Sequence, residues 1–174
     1  MRKTERKTPR TGRGKRKSAG PEPAGFSIRR AKMSDLPAVV RMSAGVREIE
    51  NYPDQKMKPA DFKHFVYGDG ASMLVAVAPG KKPSGYEVVG YVTIYESENY
   101  FYLPYAVTKK GWRRRGVGSA LLREVERLAK DENVEYILMS VYVYNTGVHS
   151  FLKARGYAAS KRLVQYSKIL KSKG

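Results

Sequence analysis

The sequence predicts a mixed α/β (α+β) domain behind a basic, structureless tail. From Phe26 onward, short alternating apolar runs give way repeatedly to stretches with apolar residues at helical spacing. No internal repeat interrupts that order. At 174 residues and 41% hydrophobic content, the chain suits one domain with a real core and not two.

The elements follow in turn. Residues 26–31 alternate as a short strand, and Ser34-Asp35 starts an amphipathic helix that runs to Val46. A second helix covers 58–66 and stops at Gly68. Residues 73–78, Met-Leu-Val-Ala-Val-Ala, read as a buried strand, and 79–85, rich in Pro and Gly, as a hairpin loop. Two further strands cover 87–96 and 100–107. In the next helix Val117, Leu121, Val125 and Leu128 share one face, while Arg123, Glu126, Arg127 and Lys130 are solvated. A strand over 136–143, a short helix over 147–154 and one or two closing strands over 157–170 complete a β-α-α-β-β-β-α-β-α-β order.

Composition removes several function classes. The chain has no cysteine, so disulfides, thiolate metal sites and an acyl-cysteine intermediate are all excluded. Its two histidines, His64 and His149, show no His-Glu-x-x-His spacing, and no Gly-x-Ser-x-Gly elbow occurs, so neither a zinc site nor a serine hydrolase is expected. No apolar run is long enough to span a bilayer and no secretory signal is evident, so a soluble, cytoplasmic protein is expected.

The net charge of +18 is spread over two regions. Residues 1–18 hold nine Lys or Arg against the single acid Glu5, and the remainder holds 25 against 15. Residues 1–25 have almost nothing apolar to bury and are expected to be disordered, leaving 26–174 as the folded domain. Such a tail favours polyanions through counterion release, which makes RNA, DNA or a ribosomal surface a candidate partner; the alternative is a solubilising extension or a local retention signal.

The stretch Gly-Trp-Arg-Arg-Arg-Gly-Val-Gly-Ser-Ala-Leu-Leu, residues 111–122, carries the chemistry. Gly111 and Gly116 have P-loop spacing, but Val117-Gly118 follows where Lys and Ser or Thr belong. Gly116-x-Gly118 opens a dinucleotide fingerprint whose third glycine is replaced by Leu121. What remains is a glycine-rich turn into a helix whose free amides suit an anion, beside Arg113, Arg114 and Arg115. A glycine-rich helix entry with solvated arginines is the competing account.

Taken together, Arg113-x-x-Gly116-x-Gly118, the apolar Ala120-Leu121-Leu122, Asn145, and Phe151-Leu-Lys-Ala-Arg-Gly156-Tyr157 resemble the GNAT superfamily of N-acetyltransferases. Ile28-Arg29-x-Ala31-x-x-x-Asp35-Leu36 resembles that family's opening, so the resemblance spans roughly 26–170. It implies the acyl-CoA N-acyltransferase fold with splayed central strands and acetyl-CoA as donor. Arg113, Arg114, Arg115, Gly116, Val117, Gly118 and Ser119 would cradle the pyrophosphate. Tyr105, Ala106 and Val107 would bond the pantetheine arm and the acetyl carbonyl, and Asn145 would contact the arm. Pro104 independently predicts a bulge or opening in its strand, because proline removes a ladder donor. The splay would then lie between the strands over 100–107 and 136–143.

Acetyl transfer needs a neutral amine, and an ordinary lysine sits about three to four pKa units too high at pH 7, at about 1.36 kcal/mol per unit. The Val107 amide is the implied oxyanion donor. Glu96 is a candidate base, with Glu98 beside it, against the alternative of a solvated turn. The family's frequent tyrosine acid would fall at Leu152, which has no proton to donate, so either CoA leaves as a thiolate, or another phenol, Tyr144, Tyr142 or Tyr157, reaches the sulfur, or acyl-CoA is bound without turnover. Another departure is one extra residue between Val107 and Arg113, with Lys109-Lys110-Gly111 where a proline is common. Glu48, Glu50 and Tyr52 are assigned to the acceptor side. No cysteine is available for an acyl-enzyme, so direct transfer to a primary amine is expected, on a protein N-terminus or lysine. A non-catalytic acyl-CoA-binding or nucleic-acid-associated module, or transfer to RNA or a small-molecule amine, is the alternative.

Overall fold

The structure is a computed structural model, and it describes residues 25–46, 58–80 and 85–160. The basic tail, the acceptor-side residues Glu48, Glu50 and Tyr52, and the closing strands past residue 160 lie outside the described residues. Residues 157–160 form no strand.

β1 (Ser27–Arg30) leads through a 3-10 turn into α1 (Leu36–Ser43). Asp35 fixes this corner: its carboxylate accepts two bonds from Arg29, at 2.7 and 2.9 Å, one from the Lys32 amide and one from the Tyr86 hydroxyl. The single helix expected over 58–66 is two turns, α2 (Pro59–Phe62) and α3 (His64–Tyr67), separated at Lys63. β2 (Ala71–Pro79) and β3 (Tyr86–Glu96) form the longest antiparallel pair.

The strand expected over 100–107 is two pieces, β4 (Tyr100–Tyr102) and β5 (Ala106–Thr108), broken around Pro104. Both pair antiparallel with the same edge of β3, β5 against Gly90–Val92 and β4 against Tyr95 and Glu96. α4 (Val117–Asp131) crosses over to β6 (Tyr136–Leu138), which runs parallel to β4, and α5 (Thr146–Lys153) follows. The sheet order is β1-β2-β3-β4-β6, with β5 also on β3. β6 is shorter than the 136–143 expected, because its pairing stops where β4 breaks.

Strand alternation sends side chains to two cores. Leu74, Ala76, Val89, Val92, Ile94 and Phe101 meet Val117, Leu121 and Val125 of α4 and Leu152 of α5. Met73, Val75, Val88, Tyr91 and Val107 meet Leu36, Val39, Phe62 and Phe65 on the opposite face. Each fully buried side chain of this size contributes about 1.5–3 kcal/mol of transfer free energy. The α4 stripe is the one its sequence spacing predicts. It closes tightly on the sheet at Gly90, where a Cβ would lie 2.6 Å from Val117 Cγ1.

Candidate functional site

The turn before α4 is built for close approach. Residues 113–116 form it, with Arg114 at φ 60° and Gly116 at φ 82°, the left-handed region that costs glycine nothing. No side chain caps the helix, and its first backbone bond is Ala120 N–H to the Gly116 carbonyl at 2.9 Å. The amides of Val117, Gly118 and Ser119 therefore have no intrahelical acceptor, and they sit at the positive end of a 15-residue helix. Gly118 lies against Phe151 and Thr108: a Cβ there would stand 3.4 Å from the Phe151 ring and 3.8 Å from Thr108 Oγ1.

The arginines divide their work. Arg113 Nε donates to the Thr108 carbonyl at 3.3 Å and ties the turn to β5, while Arg115 lies over the Trp112 ring. Arg155, absent from the expected cradle, also reaches this turn. Its guanidinium stacks 3.6 Å from the Phe151 centroid, donates to the Phe151 carbonyl at 2.9 Å and donates to Ser119 Oγ in the first turn of α4. The i, i+4 spacing of Phe151 and Arg155 on α5 and its end was the available sequence signal.

β5 supplies an open edge beside this turn. Thr93 N–H bonds the Tyr105 carbonyl and Lys109 N–H bonds the Val89 carbonyl, each at 2.9 Å, and Tyr91 pairs with Val107 midway between. In an antiparallel ladder that alternation turns the Val107 amide and carbonyl toward β3. The expected oxyanion donor is thus occupied by the sheet, and its side chain is buried under α1 and α2. The backbone groups facing away from β3 belong to Ala106, which is exposed, and Thr108.

Opposite them the sheet opens. Pairing of β4 with β6 ends at the Leu103 N–H to Leu138 carbonyl bond of 2.8 Å, and just beyond it the Tyr102 hydroxyl donates to Ser140 Oγ at 3.3 Å. Beyond that contact no described strand pairs with the outer edge of β5. The splay expected between these strands is present, with its closed end at Tyr102 and its mouth at the α4 turn.

The remaining candidates scatter. Glu96 accepts from Ser72 and lies 4.0 Å from Arg30, on the α4 face of the sheet. It is six residues along β3 from Gly90, roughly 20 Å at about 3.3 Å per residue, so the fold does not bring it to the cradle. That turn is the end of β3 nearest the closed end of the splay, where Glu96 pairs with Phe101 beside the Tyr95–Tyr102 pair. Tyr144 is half exposed and stacks on Tyr142 at 5.2 Å, immediately before Asn145. Asn145 caps α5, its side-chain oxygen accepting from the Val148 amide at 3.4 Å. Tyr157 donates to Glu126 on the side of α4, and burial beside that carboxylate pushes its phenol well up. Leu152 is buried in the α4 core.

Two other features border the splay. On the α1 face a cleft of about 490 Å³ is lined by Arg41, Lys109, Lys110 and Arg113, with Glu87 bound by Lys109. Nearer the closed end, burial and the neighbouring Tyr95, Tyr102 and Asp61 push the Tyr105 phenol upward. Among the described residues there is no cluster that would hold a metal ion and no helix long and apolar enough to cross a membrane.

A sequence model described as Acetyltransferase (GNAT) family matches residues 39–157. No curated protein matches the chain in sequence. Among solved structures, one similar fold is the aminoglycoside acetyltransferase meta-AAC0020 from an uncultured soil metagenomic sample, 16% identical with TM-score 0.65, covering 84% of this chain and 97% of that one. AAC(6')-Iy, solved with the bisubstrate analogue CoA-S-monomethyl-acetylneamine, is 16% identical with TM-score 0.67, covering 84% and 99%. A transcriptional regulator from Bacillus halodurans is 20% identical with TM-score 0.68, covering 82% and 99%. At these identities the likeness is one of fold.

Proposed function

The chain belongs to the GNAT acetyltransferase family, and from that membership we propose that it transfers acetyl from acetyl-CoA directly to a primary amine in a ternary complex. The observation that carries this is the meeting of an uncapped, glycine-walled helix start with an open strand edge at one splay. The amides of Val117, Gly118 and Ser119 hold the pyrophosphate, assisted by Arg113 and Arg155. The open-side groups of Ala106 and Thr108 bond the arm and the acetyl carbonyl, with the Ala106 amide as the oxyanion donor in place of Val107. Asn145 caps the start of α5, and its side chain contacts the arm.

The acceptor class we favour is an amine on a protein, an N-terminus or a lysine, because the domain itself is strongly basic and draws acidic macromolecular partners. The two aminoglycoside-related folds make a small-molecule amine the competing acceptor. Free CoA thiol measured with a panel of peptide, protein, polyamine and aminoglycoside amines tests both, and the cysteine-free chain adds no thiol background. Release with peptide or protein amines is expected. Release only with aminoglycosides moves the acceptor to small molecules, and release with none removes the enzymatic reading.

A further inference from the structure

The outer part of the sheet face opposite α4 is bare and rich in tyrosine. Tyr95 pairs with Tyr102 across β3 and β4, while Tyr100 pairs with Tyr136 and Tyr102 with Leu138 across β4 and β6, so strand alternation brings all five to one face. The helices on this side, α1 and α3, pack on β2, β3 and β5. Tyr100, Tyr136 and Leu138 are left 40%, 59% and 47% exposed. Seven of the eight large hydrophobic side chains exposed among the described residues lie on β3, β4, β6 or in the loop after β6. A patch so concentrated marks a partner surface, and tyrosine gives wide contact at little entropy cost. Its inner border is the closed end of the splay, where Tyr102 bonds Ser140, and the chain continues from there through Tyr105 to Ala106.

The charge of this face is the reverse of the domain's. The two stretches that build it, residues 95–107 and 132–145, contain no Lys or Arg and four glutamates, in a chain with 34 Lys or Arg. Glu98 and Glu135, both exposed, flank its outer end, where the Glu135 amide donates to the Asn99 carbonyl at 3.1 Å. The border with α2 carries Lys58 and Lys63 against Asp61, so the acidic end is the outer one. Cations stacked on phenol rings and held by carboxylates at the rim complement such a face. The rest of the domain is basic and repels them.

We infer that this face docks the acceptor, and that the acceptor is a protein segment whose reacting amine lies among Lys and Arg side chains. This rests on the acetyltransferase reading of the splay and names the acceptor class within it. The overall positive charge governs which bodies approach the domain; the tyrosine face governs which segment of them reaches the thioester.

The test uses the full chain and end-blocked peptides of equal length, each with one central lysine flanked by Arg, by Ala or by Glu. Thiol release from acetyl-CoA should give a kcat/KM about tenfold higher with the Arg-flanked than with the Glu-flanked peptide, carried by KM for peptide and shrinking with added salt. The double variant Tyr100→Ser, Tyr136→Ser should lower that ratio about threefold with KM for acetyl-CoA unchanged, whereas Tyr100→Phe, Tyr136→Phe keeps the rings and should keep the ratio. If the serine variant unfolds, Glu98→Gln with Glu135→Gln asks the same question without touching the strand pairs. Equal or better turnover of the Glu-flanked peptide, or a parental ratio in a folded serine or glutamine variant, overturns the inference. Turnover of small amines with no peptide overturns it together with the protein acceptor and leaves acetyl transfer standing. Absence of turnover with every amine overturns instead the acetyltransferase reading.

Discussion

Thr93 and Tyr105 are joined three times over. The Thr93 amide donates to the Tyr105 carbonyl at 2.9 Å, the Tyr105 amide donates to Thr93 Oγ1 at 3.1 Å, and that hydroxyl donates to the same carbonyl at 3.2 Å. A side-chain oxygen thus replaces a backbone acceptor where Pro104 breaks the ladder. Thr93→Val keeps the shape and orphans the Tyr105 amide, so a loss of about 1–3 kcal/mol is expected by urea unfolding. Acetyl transfer should weaken with it, since the same bonds aim Ala106 into the splay.

Gly90 sets how closely α4 lies on the sheet. A methyl group there would meet Val117 Cγ1 at 2.6 Å and the Val107 carbonyl at 3.2 Å. Gly90→Ala should cost about 1–3 kcal/mol through overpacking and lift the helix start away from β5. The expected signature is a raised KM for acetyl-CoA alongside a lower Tm.

Arg155 offers its charge at the start of α4 without being part of that helix. Arg155→Met should preserve contact with Phe151 and raise KM for acetyl-CoA several-fold, with kcat little changed. Dephospho-CoA and CoA competition against the parent and this variant would show which phosphate feels the loss.

Asp35 predicts an acid limit to stability. Burial would push its carboxyl up, but the bonds from Arg29, the Lys32 amide and Tyr86 outweigh that and hold it below the ordinary carboxylate value. The unfolded chain then binds this proton more readily, so the contribution is complete above an ordinary carboxylate pKa of about 3.9 and disappears as pH falls through the folded value. Asp35→Ala should cost about 3–5 kcal/mol at neutral pH by stranding buried bonds, and should flatten the acid limb of an unfolding curve measured against pH.

Glu96→Gln should leave turnover within about twofold of the parent. Its carboxylate serves Ser72 and Arg30, far from the helix start. A large loss of kcat with parental stability would return Glu96 to the list of bases.

What could be read from the sequence was what depends on local rules. The α4 stripe, the glycine turn before it and the break at Pro104 each follow from neighbours within a few residues, and each is where its spacing places it. Register was not readable. Whether Val107 or its neighbours face the open edge depends on how β5 meets β3, and a shift of one residue exchanges the two. The partnership of Tyr95 with Tyr102, and of Ser119 with Arg155 36 residues away, arises only when strands and helices are docked. The tyrosines read as good strand formers, and as individuals they are; their row across one face is a property of the pairing.

The contact between Tyr102 and Ser140 sets the depth of the splay. The stretch from Thr108 to Leu103 extends about 16 Å at the rise of a strand, and the bridge of two hydroxyls closes it off like the foot of a measuring gauge. With the thioester bound as proposed, an acyl group longer than acetyl meets that bridge. Selectivity among acetyl-, propionyl- and butyryl-CoA should therefore fall steeply with each added methylene, and Tyr102→Ala should level that slope even as it slows the reaction.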